Sequence, residues 1–465
     1  MMSGSFCGIR ASAEPRQPCH LRKPSRHVGL NSWLHRLVGC VRCPDMKLLV
    51  VGKGGREHAL ITALAASPGK PDIYAFPGSD AIFTLARRTT AHDLPSLIAF
   101  MLAEKVDLCV AGEESYLVKD EGLANACQAA GIPCWGPRFE SAQLEASKEF
   151  AKAFLVRHAI PTARYVVADS LETAEAALTE FPIVLKFDGL AAGKGVAVCA
   201  TRVEAMEFLD MIFVQRAFGP GRVVVEQCLT GPELSVFVSV VDSQYQILCP
   251  ARDYKRIFDA DEGPNTGGMG AVAGMDIVST EMLSTIETTI VQPTVSGLIT
   301  DGLPYRGFLY FGLMLTPEGP KVIEYNCRFG DPECEAVMPL LTGDLAQYCF
   351  HGARGNLRPD LIHFSTDWGL CLILASKDYP ASSSSGDEIS GLDAVNGVQV
   401  FHCGTKQNSA GNFETNGGRI LAVVASAATR AAAREKVYAE AAKISFHGCQ
   451  RRSDIGALHF ESDAG

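Results

Sequence analysis

Lys186-Phe187-Asp188-Gly189-Leu190-Ala191-Ala192-Gly193-Lys194-Gly195 is a Gly/Ala-rich loop with a lysine at either end, set between two runs of strand character. Ile183-Val184-Leu185-Lys186 leads into it and Gly195-Val196-Ala197-Val198 leads out. A Walker A loop needs G-x-x-x-x-G-K-[ST] and a helix after it. Here the glycine spacing is short, Gly195 stands where Ser or Thr would be, and a strand follows. The reading is therefore a hairpin flap whose amides and two cations close over phosphates and exclude water.

Outward from this loop, residues 181–326 are dominated by β-branched runs: Val223-Val224-Val225-Glu226, Leu234 to Val241, Phe308 to Leu315 and Val322-Ile323-Glu324. They predict an α+β region with antiparallel pairing and few long helices. Before it, Lys47-Leu48-Leu49-Val50-Val51, Ile73 to Phe76 and Leu108 to Ala111 alternate with helical segments, the first of them Ala59 to Ala66, as in a parallel sheet. A third region starts near Asp367, with strands at Leu370 to Leu374 and Ile420 to Val424 and an Ala-rich helix around residues 427–442. Ser382-Ser383-Ser384-Ser385-Gly386 reads as a flexible loop. The expected organisation is a leader at 1–45, an N-terminal α/β domain at 46–143, a second domain at 144–366 with its flap at about 166–232, and a small C-terminal α/β domain at 367–465.

The 465 residues, 47% hydrophobic and 20% charged, exclude a disordered or fibrous chain. A formal net charge of −10 argues against a surface made wholly for nucleic acid, and no apolar run approaches the roughly 20 residues of a membrane span. The leader alone is basic, with seven Lys/Arg against two acids. It reads as a transit peptide or a mis-assigned start ahead of Met46, so cytoplasmic location is the expectation and an organelle the alternative. The 16 cysteines sit mostly in apolar stretches, as small core residues of a reduced compartment do. Cys40-x-x-Cys43 has no second pair at zinc-ribbon spacing.

Three further motifs carry chemistry. Gly52-Lys53-Gly54-Gly55-Arg56-Glu57-His58 lies between a strand and a helix, where glycine amides and Arg56 suit a phosphate; Glu57 replaces the third glycine of a dinucleotide fingerprint. In Lys321-Val322-Ile323-Glu324-Tyr325-Asn326, Glu324 and Asn326 lie two apart on a strand and offer oxygen ligands from one face to a hard cation such as Mg²⁺. The turn that follows, with Arg328, Asp331 and Glu333, suits a small zwitterion. Arg252-Asp253-Tyr254-Lys255-Arg256 and the Gly263 to Gly270 stretch add charges and exposed amides beside it.

Taken together, these motifs resemble the phosphoribosylamine-glycine ligases, enzymes of de novo purine synthesis with an ATP-grasp fold. The resemblance runs from Met46 to about Gly456 and includes Leu144-Glu145-Ala146-Ser147-Lys148, Asn326 to Glu333, Gly404-Thr405-Lys406, Thr415-Asn416-Gly417-Gly418-Arg419 and Asp454-Ile455-Gly456. It implies ligation of glycine to 5-phosphoribosylamine with ATP, through glycyl phosphate, by a monomer or weak homodimer carrying a single ligase unit. By motif it implies that Lys148, Lys186 and the Gly193-Lys194-Gly195 flap bind ATP phosphates, that Glu226 and the Leu229 backbone face adenine, and that Glu233 meets the ribose. Glu324 and Asn326 would hold Mg²⁺ or Mn²⁺. Lys186, Arg256, Asn265, Arg328 and Asp331 would act at the reacting groups. Gly54, Gly55, Arg56, Asp253, Glu333, Lys406 and Arg419, with Arg328 and Asp331, would bind the substrates. Departures from the family pattern are Gln227, Pro232, Lys53, Phe187 and a one-residue shift around Ala111 to Val118. The competing readings are a carboxylating ATP-grasp ligase, which leaves Gly52 to His58 unexplained, and a silent nucleotide-binding scaffold, which predicts loss of Lys186, Glu324 or Asn326.

Overall fold

The computed structural model describes residues 46–191 and 195–457. Among them no helix is long and apolar enough to cross a membrane. The leader, with Cys40 and Cys43, lies outside the described residues, as do Ala192, Gly193 and Lys194 of the glycine-rich motif.

Lys47–Gly52 is the centre of a five-stranded parallel sheet, in the order Arg87–Arg88, Asp72–Pro77, Lys47–Gly52, Leu108–Ala111, Cys134–Trp135. Its run of apolar residues follows from burial on both faces: Leu48 and Val50 enter one core cluster, Leu49 and Val51 another. The helix after it spans Gly55–Ala65, four residues earlier than its apolar pattern suggests. Glu57 causes the early start, because its carboxylate accepts the Gly54 N–H at 2.7 Å and caps the helix from within its first turn.

A nine-stranded antiparallel sheet forms the body. Its order is Gly319–Asn326, Arg306–Thr316, Glu233–Val241, Ala251–Asp253, Gly270–Ala273, Trp368–Ala375, Arg419–Ala427, Gln399–His402, with Gln244–Ile247 hairpinned onto Glu233–Val241. Along Arg306–Thr316, Phe308 and Tyr310 face one cluster and Leu309, Phe311 and Leu313 the other. Just past Asp367, Trp368–Ala375 pairs directly with Gly270–Ala273 and joins the same sheet.

The loop Lys186 to Gly195 belongs to a separate four-stranded antiparallel sheet, ordered Tyr165–Ala168, Val223–Gln227, Ile183–Phe187, Val196–Cys199. Helices Leu171–Ala176 and Arg202–Phe213 cover it, and Leu185, Leu209, Ile212, Val223 and Val225 form its own core. Phe187, one of the departures, is accommodated by glycines. A Cβ at Gly221 or Gly189 would lie 2.5 or 2.8 Å from its ring. On its free side the ring meets Phe218, with centroids 5.3 Å apart.

One expectation is corrected, and one helical stretch stands out in the β-rich region. The serine run is a loop only at Ser382 and Ser383, because Ser384–Glu388 is a strand held by Phe413–Gly417 in a three-stranded sheet with Thr405–Gln407. Cross-strand pairing overrides the turn-like composition there. In the β-rich region, Thr280–Ile286, a π turn at Glu287–Val291 and Gln292–Thr300 make one continuous helical stretch. Its threonines and Ile290-Val291 read as strand locally, yet Ile286, Ile290, Val291, Val295 and Leu298 bury one helical face in the core.

Candidate active site

The strand Gly319–Asn326 carries the proposed metal ligands, and its geometry depends on an irregularity. Val322 and Tyr325 are both buried although three residues apart, which a regular strand forbids. The register slips between Gly312 and Leu313, whose partners are Glu324 and Val322, so Ile323 is the extra residue of a bulge. The bulge turns Glu324 and Asn326 together to the face away from the core. It also frees the Ile323 carbonyl, which accepts a hydrogen bond from Lys186 Nζ at 2.9 Å. Gly312, opposite Glu324, leaves room for it, since a Cβ there would lie 3.0 Å from Glu324 Cγ.

Cations converge on Glu324. Lys255 Nζ lies 3.8 Å from its carboxylate and 2.9 Å from Glu233. Burial works against the Glu324 charge, but Lys255, Lys186, Lys148 and Arg328 together hold its pKa below the ordinary value. The result is a carboxylate ionised at neutral pH, on a polar face of oxygen ligands and with a third of its side chain open to solvent. That chemistry fits a hard divalent ion, with too few protein oxygens to hold one without phosphate.

Behind this face lies a buried triad. Glu226 is held by Lys186 at 3.2 Å and by Lys152 at 3.0 Å, all three side chains being almost wholly buried. Lys152 also donates to Thr162 Oγ1 at 2.8 Å. Burial, with Lys186 nearby, outweighs Glu226 and lowers the Lys152 pKa to about 8. Lys152 had no assigned role in the sequence; only its i+4 spacing from Lys148 on the helix Lys148–Arg157 signalled it. Lys148 donates to the Gly189 carbonyl at 2.8 Å, and Asp188 accepts from Ser147 Oγ and Glu149 N, so the base of the flap is tied to the start of that helix. Gly195 accepts from Phe187 N at 2.7 Å. Leu229 is half-buried just past the strand Val223–Gln227, and Gln227 faces Arg164.

A second ion-pair network joins the parallel sheet to the turn after Asn326. Arg328 meets Glu145 at 2.7 Å and Glu114 at 3.1 Å, while Arg56 meets Glu114 at 3.3 Å and Glu57 at 2.6 Å. Burial opposes ionisation of Glu114, but the Arg328 and Arg56 guanidiniums hold its pKa down to about 2. Glu114 and Glu145 were missed. Glu114 falls in the segment that departs from the family pattern, and Glu145 is recognisable only once Arg328 is brought beside it. Asp331 pairs with Arg419 at 2.9 Å and lies next to Gly54. Arg419 also donates to the Gly267 carbonyl.

Between the two networks sits an acidic recess. Glu333 accepts from Ser235 Oγ at 2.9 Å, and Asp253 Oδ1 is buried with no hydrogen-bond donor. Burial, and then Glu333 itself, push the Asp253 carboxyl well above the usual range; burial likewise raises Glu333. Gly268 closes over Asp253 with φ +106°, where a Cβ would lie 2.8 Å from Oδ1. Arg256 and Asn265 are register partners in the hairpin Arg256–Phe258/Glu262–Asn265; Arg256 donates to the Gly263 carbonyl at 2.5 Å and Asn265 is exposed. Lys406 stands outside these networks and bonds to Ser385 Oγ at 3.1 Å.

Three sequence-family profiles match in tandem: the N domain of phosphoribosylglycinamide synthetase over residues 46–145, its ATP-grasp domain over 146–334 and its C domain over 369–458. Phosphoribosylamine–glycine ligase of Phenylobacterium zucineum is 43% identical over 422 residues, covering 88% of this chain and 99% of its own. The chain belongs to the phosphoribosylamine–glycine ligase family. It is an ATP-grasp ligase. The Escherichia coli ligase of the same name is 41% identical over 88% of this chain and 98% of its own. The crystal structure of the Thermotoga maritima ligase superposes with a TM-score of 0.77 at 32% identity, covering 88% of this chain and all of that one. A biotin carboxylase domain from Hydrogenobacter thermophilus, solved with MgADP, shares the fold at 16% identity, with a TM-score of 0.67 and coverage of 87% and 91%.

Proposed function

We propose that this ligase joins glycine to 5-phosphoribosylamine with ATP, in purine biosynthesis, and that the face carrying Glu324 is where phosphoryl transfer occurs. The observation that carries the reading is the meeting of Lys148, Lys186 and Lys255 at an ionised carboxylate on a bulged strand. Lys148, Lys186 and the flap at Gly193, Lys194 and Gly195 take the ATP phosphates. Glu226 and the Leu229 backbone face adenine, and Glu233, fixed by Lys255, meets the ribose hydroxyls. Glu324 and Asn326 would hold a Mg²⁺ or Mn²⁺ ion, which would supply neutralisation of phosphate charge.

The glycine carboxylate attacks the γ-phosphorus in line, giving glycyl phosphate and ADP. The amine of phosphoribosylamine then attacks the glycyl carbonyl; phosphate leaves and the amine loses a proton. Cations and orientation supply most of this catalysis, since phosphoryl transfer needs little covalent help. Asp253, whose buried Oδ1 has no donor, and the buried Glu333 beside it suit the glycine ammonium, whose arrival allows both to ionise. Arg256, Asn265, Arg328 and Asp331 line the acyl-phosphate side. Gly54, Gly55 and Arg56 take the phosphoribosyl group, with Lys406 and Arg419 at its margin. The closed flap keeps water from the acyl phosphate.

The reading places the body from Met46 in the cytoplasm, with an organelle the alternative if residues 1–45 are a targeting segment. ADP release by the purified protein tests the function, with glycine, and with phosphoribosylamine formed in situ from ribose 5-phosphate and ammonia. Release that needs both substrates is expected. Release with neither points to the carboxylating chemistry of other ATP-grasp enzymes, and none under any combination to a silent binding protein.

A further inference from the structure

The sequence scatters Cys109, Cys127 and Cys134, but the fold gathers them. Cys109 lies in Leu108–Ala111 and Cys134 in Cys134–Trp135, and the two are register partners in the parallel sheet. Directly opposed residues on neighbouring strands project to one face. The helix Leu123–Ala129 packs across that face and brings Cys127 down onto them. All three Sγ atoms lie within 4.8 Å of one another, with no histidine or carboxylate in the group. Cys109 and Cys127 are fully buried and Cys134 is half-buried.

Three sulfurs and no oxygen define a soft site. A metal–sulfur bond of about 2.3 Å sets neighbouring sulfurs about 4 Å apart, so each thiol moves by less than about 1 Å to reach it. The apolar surroundings, among them Leu49, Val51, Leu117, Leu123 and Ile132, favour the smallest residual charge. A divalent ion leaves one negative charge on three thiolates, where a monovalent ion leaves two. Cys134 is only partly buried as a residue, while all three sulfurs lie inside.

We propose that Cys109, Cys127 and Cys134 form a three-thiolate binding site for one soft divalent d¹⁰ ion of the Zn²⁺ and Cd²⁺ class, apart from the oxygen-ligand site at Glu324. Binding replaces three S–H protons with three metal–sulfur bonds, so three protons leave for each ion taken up and no redox partner is needed. The site ties the last two strands of the parallel sheet to the helix between them. Its neighbour in sequence is Glu114, three residues past the end of Leu108–Ala111.

Cd²⁺ is the probe, added under anaerobic conditions to the full-length chain after reduction and removal of metal. In the wild-type chain we expect an ultraviolet thiolate-to-cadmium band saturating at one equivalent more than in Cys127→Ala, with three protons released for that equivalent. Affinity in Cys127→Ala should fall about 100-fold or more. Cys40→Ser/Cys43→Ser should keep the additional equivalent. Should Cys127→Ala fail to fold, Cys134→Ser, at the half-buried position, makes the same comparison. Identical titrations of wild type and Cys127→Ala, or of wild type and Cys134→Ser, would overturn the proposal and leave the cysteines as small core residues. So would a loss of two thiols without metal uptake, which would mark a disulfide pair.

Discussion

Lys186 donates its ammonium hydrogen bond to the carbonyl of Ile323, the one residue that the strand Gly319–Asn326 bulges out of register. A lysine from the four-stranded sheet is thereby fixed against the strand that carries Glu324. Two elements of different sheets meet at one peptide group, and the Lys186 ammonium is placed by backbone geometry as well as by its ion pair with Glu226.

Glu324→Ala removes the carboxylate around which Lys255, Lys186 and Lys148 gather. Turnover at ordinary Mg²⁺ should fall about 100-fold or more while circular dichroism stays unchanged. Retained turnover would remove Glu324 from the metal site.

The triad Lys152–Glu226–Lys186 makes an asymmetric pair of predictions. Glu226→Gln leaves two buried ammonium groups without an anion and should cost about 3–5 kcal/mol in urea unfolding. Lys152→Met leaves the Lys186–Glu226 pair intact and should cost clearly less. Equal losses from the two substitutions would contradict the arrangement.

Gly221 lies where a Cβ would press on the Phe187 ring. Gly221→Ala should destabilise the four-stranded sheet by about 1–3 kcal/mol. Phe187→Ala in the same chain should recover part of that loss, measured as a double-mutant cycle. Additive losses would show that the ring and the glycine do not meet.

His58 and His402 set an acid limit. His58 Nδ1 accepts the His402 backbone N–H at 3.1 Å, so it is unprotonated, and burial lowers the His58 pKa to about 4. Burial, then His58, lowers His402 to about 3. The unfolded chain therefore holds more protons than the native one between about pH 6.5 and pH 4, and stability falls as the pH drops through that window. His58 alone accounts for about 3 kcal/mol by pH 4. Urea unfolding at pH 7 and pH 5 should show the decline, and His58→Leu should flatten it; an unchanged slope would place the titration elsewhere.

The strand that carries Glu324 and Asn326, and the two paired strands on either side of the glycine-rich loop, are legible in the residue pattern. What composition could not reveal depends on distant residues meeting. The bulge at Ile323 is invisible in Val322-Ile323-Glu324, because only the partner strand reveals a register slip. Glu114 gains meaning from Arg56 and Arg328, respectively 58 and 214 residues away in sequence. The helical stretch from Thr280 to Thr300 and the strand Ser384–Glu388 are not legible in composition for one reason, which is that burial and cross-strand pairing outweigh local preference.

The shared seam between Gly270–Ala273 and Trp368–Ala375 bears on how the chain can be divided or recombined. A truncation after residue 367 would strip one edge from a sheet whose bared strand, Gly270–Ala273, is wholly buried. Such an edge is a template for intermolecular pairing, and the shortened chain would aggregate. The C-terminal hundred residues are not a detachable module. A swap with another ligase must carry both sides of the seam, and a tag or inserted domain belongs in a surface turn such as that around Gly411, where added bulk meets nothing.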